Sequence, residues 1–149
     1  MTAPGETSLG PWLLVSDIDD TLTGDDGALR RLAAAIGSAG KALIFAVNSS
    51  RPAGSVAETL RDVFPPGLVP DAVITALGTE IAVNGEPLPA WQARFDGWPY
   101  QTVFDVLKAL GHRPHERRYQ TARKVSFAVP GGAAQSEARR ALADAGVAC

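Results

Sequence analysis

Trp12-Leu13-Leu14-Val15-Ser16-Asp17-Ile18-Asp19-Asp20-Thr21-Leu22-Thr23 holds the densest chemical information in the chain. A short apolar run of strand length stops at a carboxylate. A second carboxylate follows two residues later, then Asp20 and the hydroxyl of Thr21. In an open parallel sheet, ligands bind just beyond the carboxyl ends of the strands. The pattern therefore sets Asp17 and Asp19 on a loop that brings both side chains toward one point. Two carboxylates so placed repel unless a positive charge lies between them, and a hard divalent cation held by oxygen ligands, Mg2+, meets that need. One carboxylate is then free to attack phosphorus and carry an aspartyl-phosphate. The other can protonate the leaving oxygen and afterwards take a proton from water.

Around this loop the chain has the balance of a globular protein. With 149 residues, 46% apolar and 20% charged, it is long enough for one domain with a real core, or for one domain and part of another. Fourteen basic against sixteen acidic residues imply neither a nucleic-acid footprint nor a polybasic membrane patch. The local basic cluster of Arg113, His115, Arg117, Arg118, Arg123 and Lys124 reads as a solvated loop and strand edge. Cys149 is the only cysteine, which excludes a disulfide framework or a cysteine-based zinc site within the chain and fits a cytoplasmic protein. Residues 1–11 are polar and rich in Gly and Pro, and read as a disordered leader. No segment approaches the ~20 apolar residues that span a bilayer.

Downstream, Gly24-Asp25-Asp26-Gly27 signals a turn, with Asp25 or Asp26 available to cap a helix. Leu29, Leu32, Ile36 and Ala39 mark that helix, which ends at Gly40. Lys41 to Val47 is a buried strand without alternation, as parallel strands are when helices cover both faces. It runs into Asn48-Ser49-Ser50-Arg51-Pro52. A second helix from Ala53 stops at Pro65-Pro66-Gly67, and Ala72 to Leu77 is a third strand. Strand, helix, strand, helix, strand is the doubly wound α/β pattern. The grammar then changes: Gly78 to Leu88 alternates around Asn84-Gly85, a hairpin signal. Trp91, Phe95 and Trp98 follow at helical spacing. Pro99 opens a helix carrying Val103, Val106, Leu107 and Leu110 up to Gly111. Lys124 to Val129 alternates as a strand, Ala133 to Ala145 is a helix, and Val147-Ala148-Cys149 looks like the opening of another strand. The natural boundary falls near Thr79, with a core over 12–79 and a smaller module over 80–149.

Laid out in this way, the chain resembles the haloacid dehalogenase superfamily of phosphohydrolases, in its branch similar to sucrose-phosphate phosphatase. The first signature, DxDxT, matches Asp17, Asp19 and Thr21. The second falls on Ser49, with Ser49-Ser50-Arg51 standing where that branch has Thr-Gly-Arg. The step Ile74 to Ile81 resembles the passage from core to inserted α/β cap, and Lys124-Val125-Ser126-Phe127 resembles a cap strand. The resemblance implies a Rossmann-like half-sheet and Mg2+-dependent hydrolysis of a sugar phosphate such as sucrose 6-phosphate. By that resemblance Asp17 is nucleophile and metal ligand, and Asp19 is general acid/base and metal ligand through its carbonyl. Thr21 and Ser49 serve the phosphate, Thr21 by orienting the loop; Asn48 and Arg51, read from their place beside it, fix the loop or meet the phosphate. Glu80, Gln120 and Lys124 lie where a substrate between core and cap would meet them; for Glu80 a solvated hairpin carboxylate is an equal alternative.

The family's third signature, a lysine, and its fourth, a late acidic pair, have no match. Lys108 and Lys124 fall in the cap, and Asp144 lies inside a helix. The economical expectation is the N-terminal part of a longer phosphatase, with weak activity on its own. Two rivals fit parts of the pattern. A non-catalytic fragment or interaction module of the same fold accommodates the missing signatures. A phospho-accepting receiver domain also clusters aspartates around Mg2+, but takes phosphate on its third strand, which here ends in Leu77-Gly78-Thr79. Trp91 and Trp98 read as core or as sugar-stacking rings, and His112 and His115 as surface residues. Unpaired sheet edges favour association without setting an oligomeric state.

Overall fold

The computed structural model describes residues 10–148, so the expected leader falls almost wholly outside it, as does Cys149. β1 (Trp12–Asp17) is followed by α1 (Asp26–Ala39). The Asp25 carboxylate accepts the Ala28 N–H at 2.9 Å and so caps that helix. This bond holds the Asp25 carboxyl below its ordinary value. The helix turns Leu29 inward and ends at Gly40, whose positive φ of 50° suits a residue without Cβ. A single 3-10 turn then occupies Gly40–Ala42, so β2 (Leu43–Asn48) begins two residues later than the apolar run predicts. α2 (Ala53–Asp62) and β3 (Ala72–Thr75) complete the repeating unit.

β1 pairs parallel with β2, from Trp12 opposite Leu43 to Asp17 opposite Asn48, and β2 pairs parallel with β3. The strands thus end side by side, and that common end carries the polar loops. β3 stops at Thr75, two residues before its apolar run does. Ala76 leaves the ladder because its N–H donates to the Arg51 carbonyl at 2.8 Å. The chain then reverses into β4 (Glu80–Val83) and β5 (Glu86–Pro87), joined through Asn84-Gly85 with φ of 50° and 82°. Positive φ at both turn residues is what an Asn-Gly hairpin favours. Strand order is β1-β2-β3-β4-β5, parallel in its first three members and antiparallel thereafter. The α/β class and parallel-rich sheet expected from sequence are present. The hairpin of residues 80–87, expected beyond the boundary at Thr79, continues the core sheet by hydrogen bonding.

Two apolar clusters divide the chain more clearly than its ladders do. The first packs Ile18, Leu22, Leu29, Phe45, Val47, Val56, Phe64 and Leu68 between the parallel strands and their helices. After α3 (Pro89–Gln92), the second cluster joins α4 (Tyr100–Ala109) to a late helix through Val103, Leu107, Ala138 and Val147. Two short strands pair antiparallel beside it, β6 (Arg113–Pro114) and β7 (Phe127–Ala128), and α5 (Ala133–Asp144) follows. The strand expected over 124–129 is thereby reduced to two residues. Ser126 is paired in part by a side chain: Gln120 receives its N–H at 2.7 Å and donates at 2.8 Å to its carbonyl, which also accepts the His115 N–H at 3.0 Å. Ala148 is in neither helix nor strand, against the expected strand opening. Among the described residues no helix is long and apolar enough to cross a membrane.

Candidate active site

Asp17 and Ser49 meet because β1 and β2 end in register. Asp17 lies opposite Asn48, and Ser49 is the next residue along. Both line a cavity of about 470 Å³ with Asn48, Ser50, Ile74, Leu77 and Gly78. Ser49 is 2% exposed, fixed by its N–H donating to the Ile74 carbonyl at 2.9 Å. Its Oγ accepts the Arg51 N–H at 3.1 Å, which leaves the hydroxyl hydrogen free to donate into the cavity. Asp17 is exposed at the strand end, and Thr21 donates to its Oδ2 at 3.2 Å. Oδ1 keeps its lone pairs unengaged by that hydroxyl. The loop bearing these groups is drawn tight by Ile18, which is fully buried and whose carbonyl accepts the Leu22 and Thr23 N–H groups. Asp20 takes a positive φ of 57° within it.

Asp19 does not line that cavity; it faces Arg51. The guanidinium Nε lies 3.0 Å from Asp19 Oδ2, an ionic contact rather than an in-line hydrogen bond. The other nitrogens of Arg51 turn toward α2, Nη1 donating to Ser55 Oγ at 3.2 Å and Nη2 to Thr59 Oγ1 at 3.0 Å. Arg51, expected to fix the loop or meet the phosphate, is thus tied between the helix and the second carboxylate. Its helix partners Ser55 and Thr59 were not singled out from sequence, although their i, i+4 spacing puts them on one helix face.

Glu80 faces neither solvent alone nor the Asp17 cavity. Its carboxylate accepts the Thr75 hydroxyl at 3.1 Å and the Ala53 N–H at 3.3 Å. It therefore caps α2, whose N-cap residue, Pro52, has no side chain able to do so. Gln120 and Lys124 are occupied within the later module. The Gln120 amide donates to His115 and Ser126 carbonyls, while Lys124, 7% exposed, donates to the Tyr119 carbonyl at 2.9 Å. Burial pushes the Lys124 ammonium below the ordinary lysine value, partly offset by the negative charge of Glu80. Trp91 is half-buried: its Nε1 donates to the Gly78 carbonyl at 2.7 Å, the Arg94 guanidinium lies over its ring and Phe95 meets it edge-on. Trp98 packs against the second cluster. His112, expected at the surface, is partly buried, its Nε2 shielded without a partner. Leu77 and Gly78 were missed as cavity residues because an apolar run gives no sign of the turn that breaks it.

Among the described residues no three His, Cys, Asp or Glu side chains converge on one point. The Asp17 carboxylate and the Asp19 main-chain carbonyl are hard oxygen donors, suited to Mg2+ in kind and short of its six-fold shell in number. A cation resting on them would keep most of its coordination as water.

Comparison with known proteins adds a lineage to this geometry. The fold matches the X-ray structure of the sucrose-phosphatase from Synechocystis sp. PCC6803, in complex with sucrose and phosphate, at a TM-score of 0.79 and 22% identity. The match covers 93% of this chain and 57% of that one. A haloacid dehalogenase-like hydrolase from Bacillus subtilis, yhjK, matches at a TM-score of 0.49 and 17% identity, over 92% of this chain and 57% of its own. No curated protein matches by sequence. The chain spans little more than half the length of these solved relatives. The model of the sucrose-6F-phosphate phosphohydrolase family matches residues 10–149, essentially the whole chain from the first strand onward, and the chain belongs to that family.

Proposed function

We propose that this chain carries the nucleophile-bearing part of a phosphomonoesterase that acts on a sugar phosphate of the sucrose 6-phosphate kind. The observation behind this reading is the shared cavity of Asp17 and Ser49 at the ends of adjacent parallel strands, with Thr21 holding one oxygen of the carboxylate. In the proposed first step Asp17 Oδ1 attacks phosphorus, and the bond from phosphorus to the ester oxygen breaks. Asp19 gives its proton to the departing alkoxide. In the second step water attacks the aspartyl-phosphate, Asp19 takes the water's proton, and inorganic phosphate leaves with Asp17 restored. The Ser49 hydroxyl donates to a phosphoryl oxygen as charge develops there. Mg2+, when bound on Asp17 and the Asp19 carbonyl, would offset the negative charge gathered between carboxylate and phosphoryl group. Asp19 must part from Arg51 to exchange its proton, so Arg51 acts through Asp19 in this reading.

The test is release of phosphate from sucrose 6-phosphate with Mg2+, wild type against Asp17→Asn. Loss of turnover by about 1,000-fold or more supports the nucleophile, and equal turnover in both overturns it. A second reading, a module of the same fold with impaired chemistry, draws on the short donor set and on the Asp19–Arg51 contact. Hydrolysis by neither protein favours it.

A further inference from the structure

Leu77 sits in a backbone conformation that leucine seldom adopts. Ala76, Leu77 and Gly78 have φ of 50°, 60° and 83°, three consecutive residues on the left-handed side, of which only the last is a glycine. The surroundings force the turn at several points. The Ala76 N–H is bound by the Arg51 carbonyl at 2.8 Å, and the Ala76 carbonyl receives both N–H and Oγ1 of Thr79, at 3.3 and 2.9 Å. The Gly78 carbonyl is held by the indole of Trp91. Ala76 is fully buried, whereas Leu77 is 67% exposed. A large apolar side chain gains nothing from burial there, and its backbone geometry would suit glycine or asparagine better. Strain that a structure over-determines in this way gathers where function needs a side chain in one place.

That place is the wall of the cavity shared by Asp17 and Ser49. Apart from Ile74, the side chains around it are polar. Polar groups suit the phosphoryl oxygens, but the alcohol of a phosphate ester also presents carbon and hydrogen. We infer that Leu77 is a specificity-determining residue, the apolar wall against which the carbon skeleton of the leaving alcohol packs. It would lead the site to prefer phosphate esters of bulky polyols over small ones. The inference rests on the phosphate-site reading above and adds to it the residue that senses the alcohol.

The test compares two non-hydrolysable probes, methylphosphonate and the phosphonate analogue of hexose 6-phosphate. Their binding to the full chain with Mg2+ is measured by titration calorimetry in wild type, Leu77→Asn and Leu77→Met. Asparagine accepts the left-handed backbone and removes the apolar surface; methionine keeps the surface. Leu77→Asn is expected to weaken the hexose phosphonate about tenfold, the worth of one lost apolar contact of this size, and to leave methylphosphonate unchanged. Its melting temperature should equal or exceed that of wild type, and Leu77→Met should retain the preference. Equal weakening of both probes, or a preference that survives in Leu77→Asn, overturns the role of Leu77. A wild type that binds methylphosphonate without favouring the hexose analogue overturns it too, while sparing the phosphate site. A wild type that binds neither removes the phosphate site and this inference together.

Discussion

Lys124 is a cation with little water around it and one carbonyl to bind. Its ammonium is held below the ordinary lysine value of 10.5 chiefly by burial. Between the folded value and 10.5 the unfolded chain therefore holds more protons, so stability rises as pH climbs through that window. Urea midpoints measured from neutral pH to about pH 10 should show this rise in wild type and a flat profile in Lys124→Met. The residues of the site differ in how far sequence exposes them. The meeting of Asp17, Thr21 and Ser49 at one strand end is legible because strand ends and motif spacing are local properties, whereas the turn of Asp19 toward Arg51 is not. Arg51 is legible as a residue near the site but not as a partner of Asp19. Its direction depends on which hydroxyls a helix offers it, and on a carboxylate more than thirty residues earlier in the chain.

Among the elements, strongly periodic segments emerge where the sequence puts them, and segments whose ends are set by distant groups do not. α1 and α4 follow their apolar spacing, and the Asn84-Gly85 hairpin follows its turn chemistry. β3 ends early because a carbonyl after β2 captures Ala76. The alternation over 124–129 earns only a two-residue strand, since the acceptor for the Ser126 N–H is the Gln120 side chain, while its carbonyl is shared between that amide and the His115 N–H. Gln120→Ala should leave the Ser126 N–H without its acceptor, while the Ser126 carbonyl keeps the His115 N–H, and cost about 1–3 kcal/mol, read as a lower urea midpoint with faster amide exchange at Ser126. Glu80 makes the same point for a helix start: the cap of α2 lies 27 residues from the N–H it receives. No local pattern records such a bond.

At the scale of the whole molecule, β1 lies at one end of the described sheet, pairing only with β2. Trp12 and Leu13 are 74% and 62% exposed, an apolar margin beside unpaired main-chain groups. Such an edge recruits other chains. Leu13→Lys should reduce concentration-dependent association in sedimentation velocity, while shifting folding stability by no more than about 0.5 kcal/mol. The half-sheet and its open side were legible from the order of strands and helices. The continuity of that sheet past Thr79 was not, because pairing of β4 on β3 depends on the direction the turn takes. That continuity has a mechanical outcome. The helices after β5 are not hung on slack cord but cantilevered from a five-rung lattice whose opposite end bears Asp17. Swinging them away would twist the lattice itself, so their placement is governed by stiffness rather than by tether length.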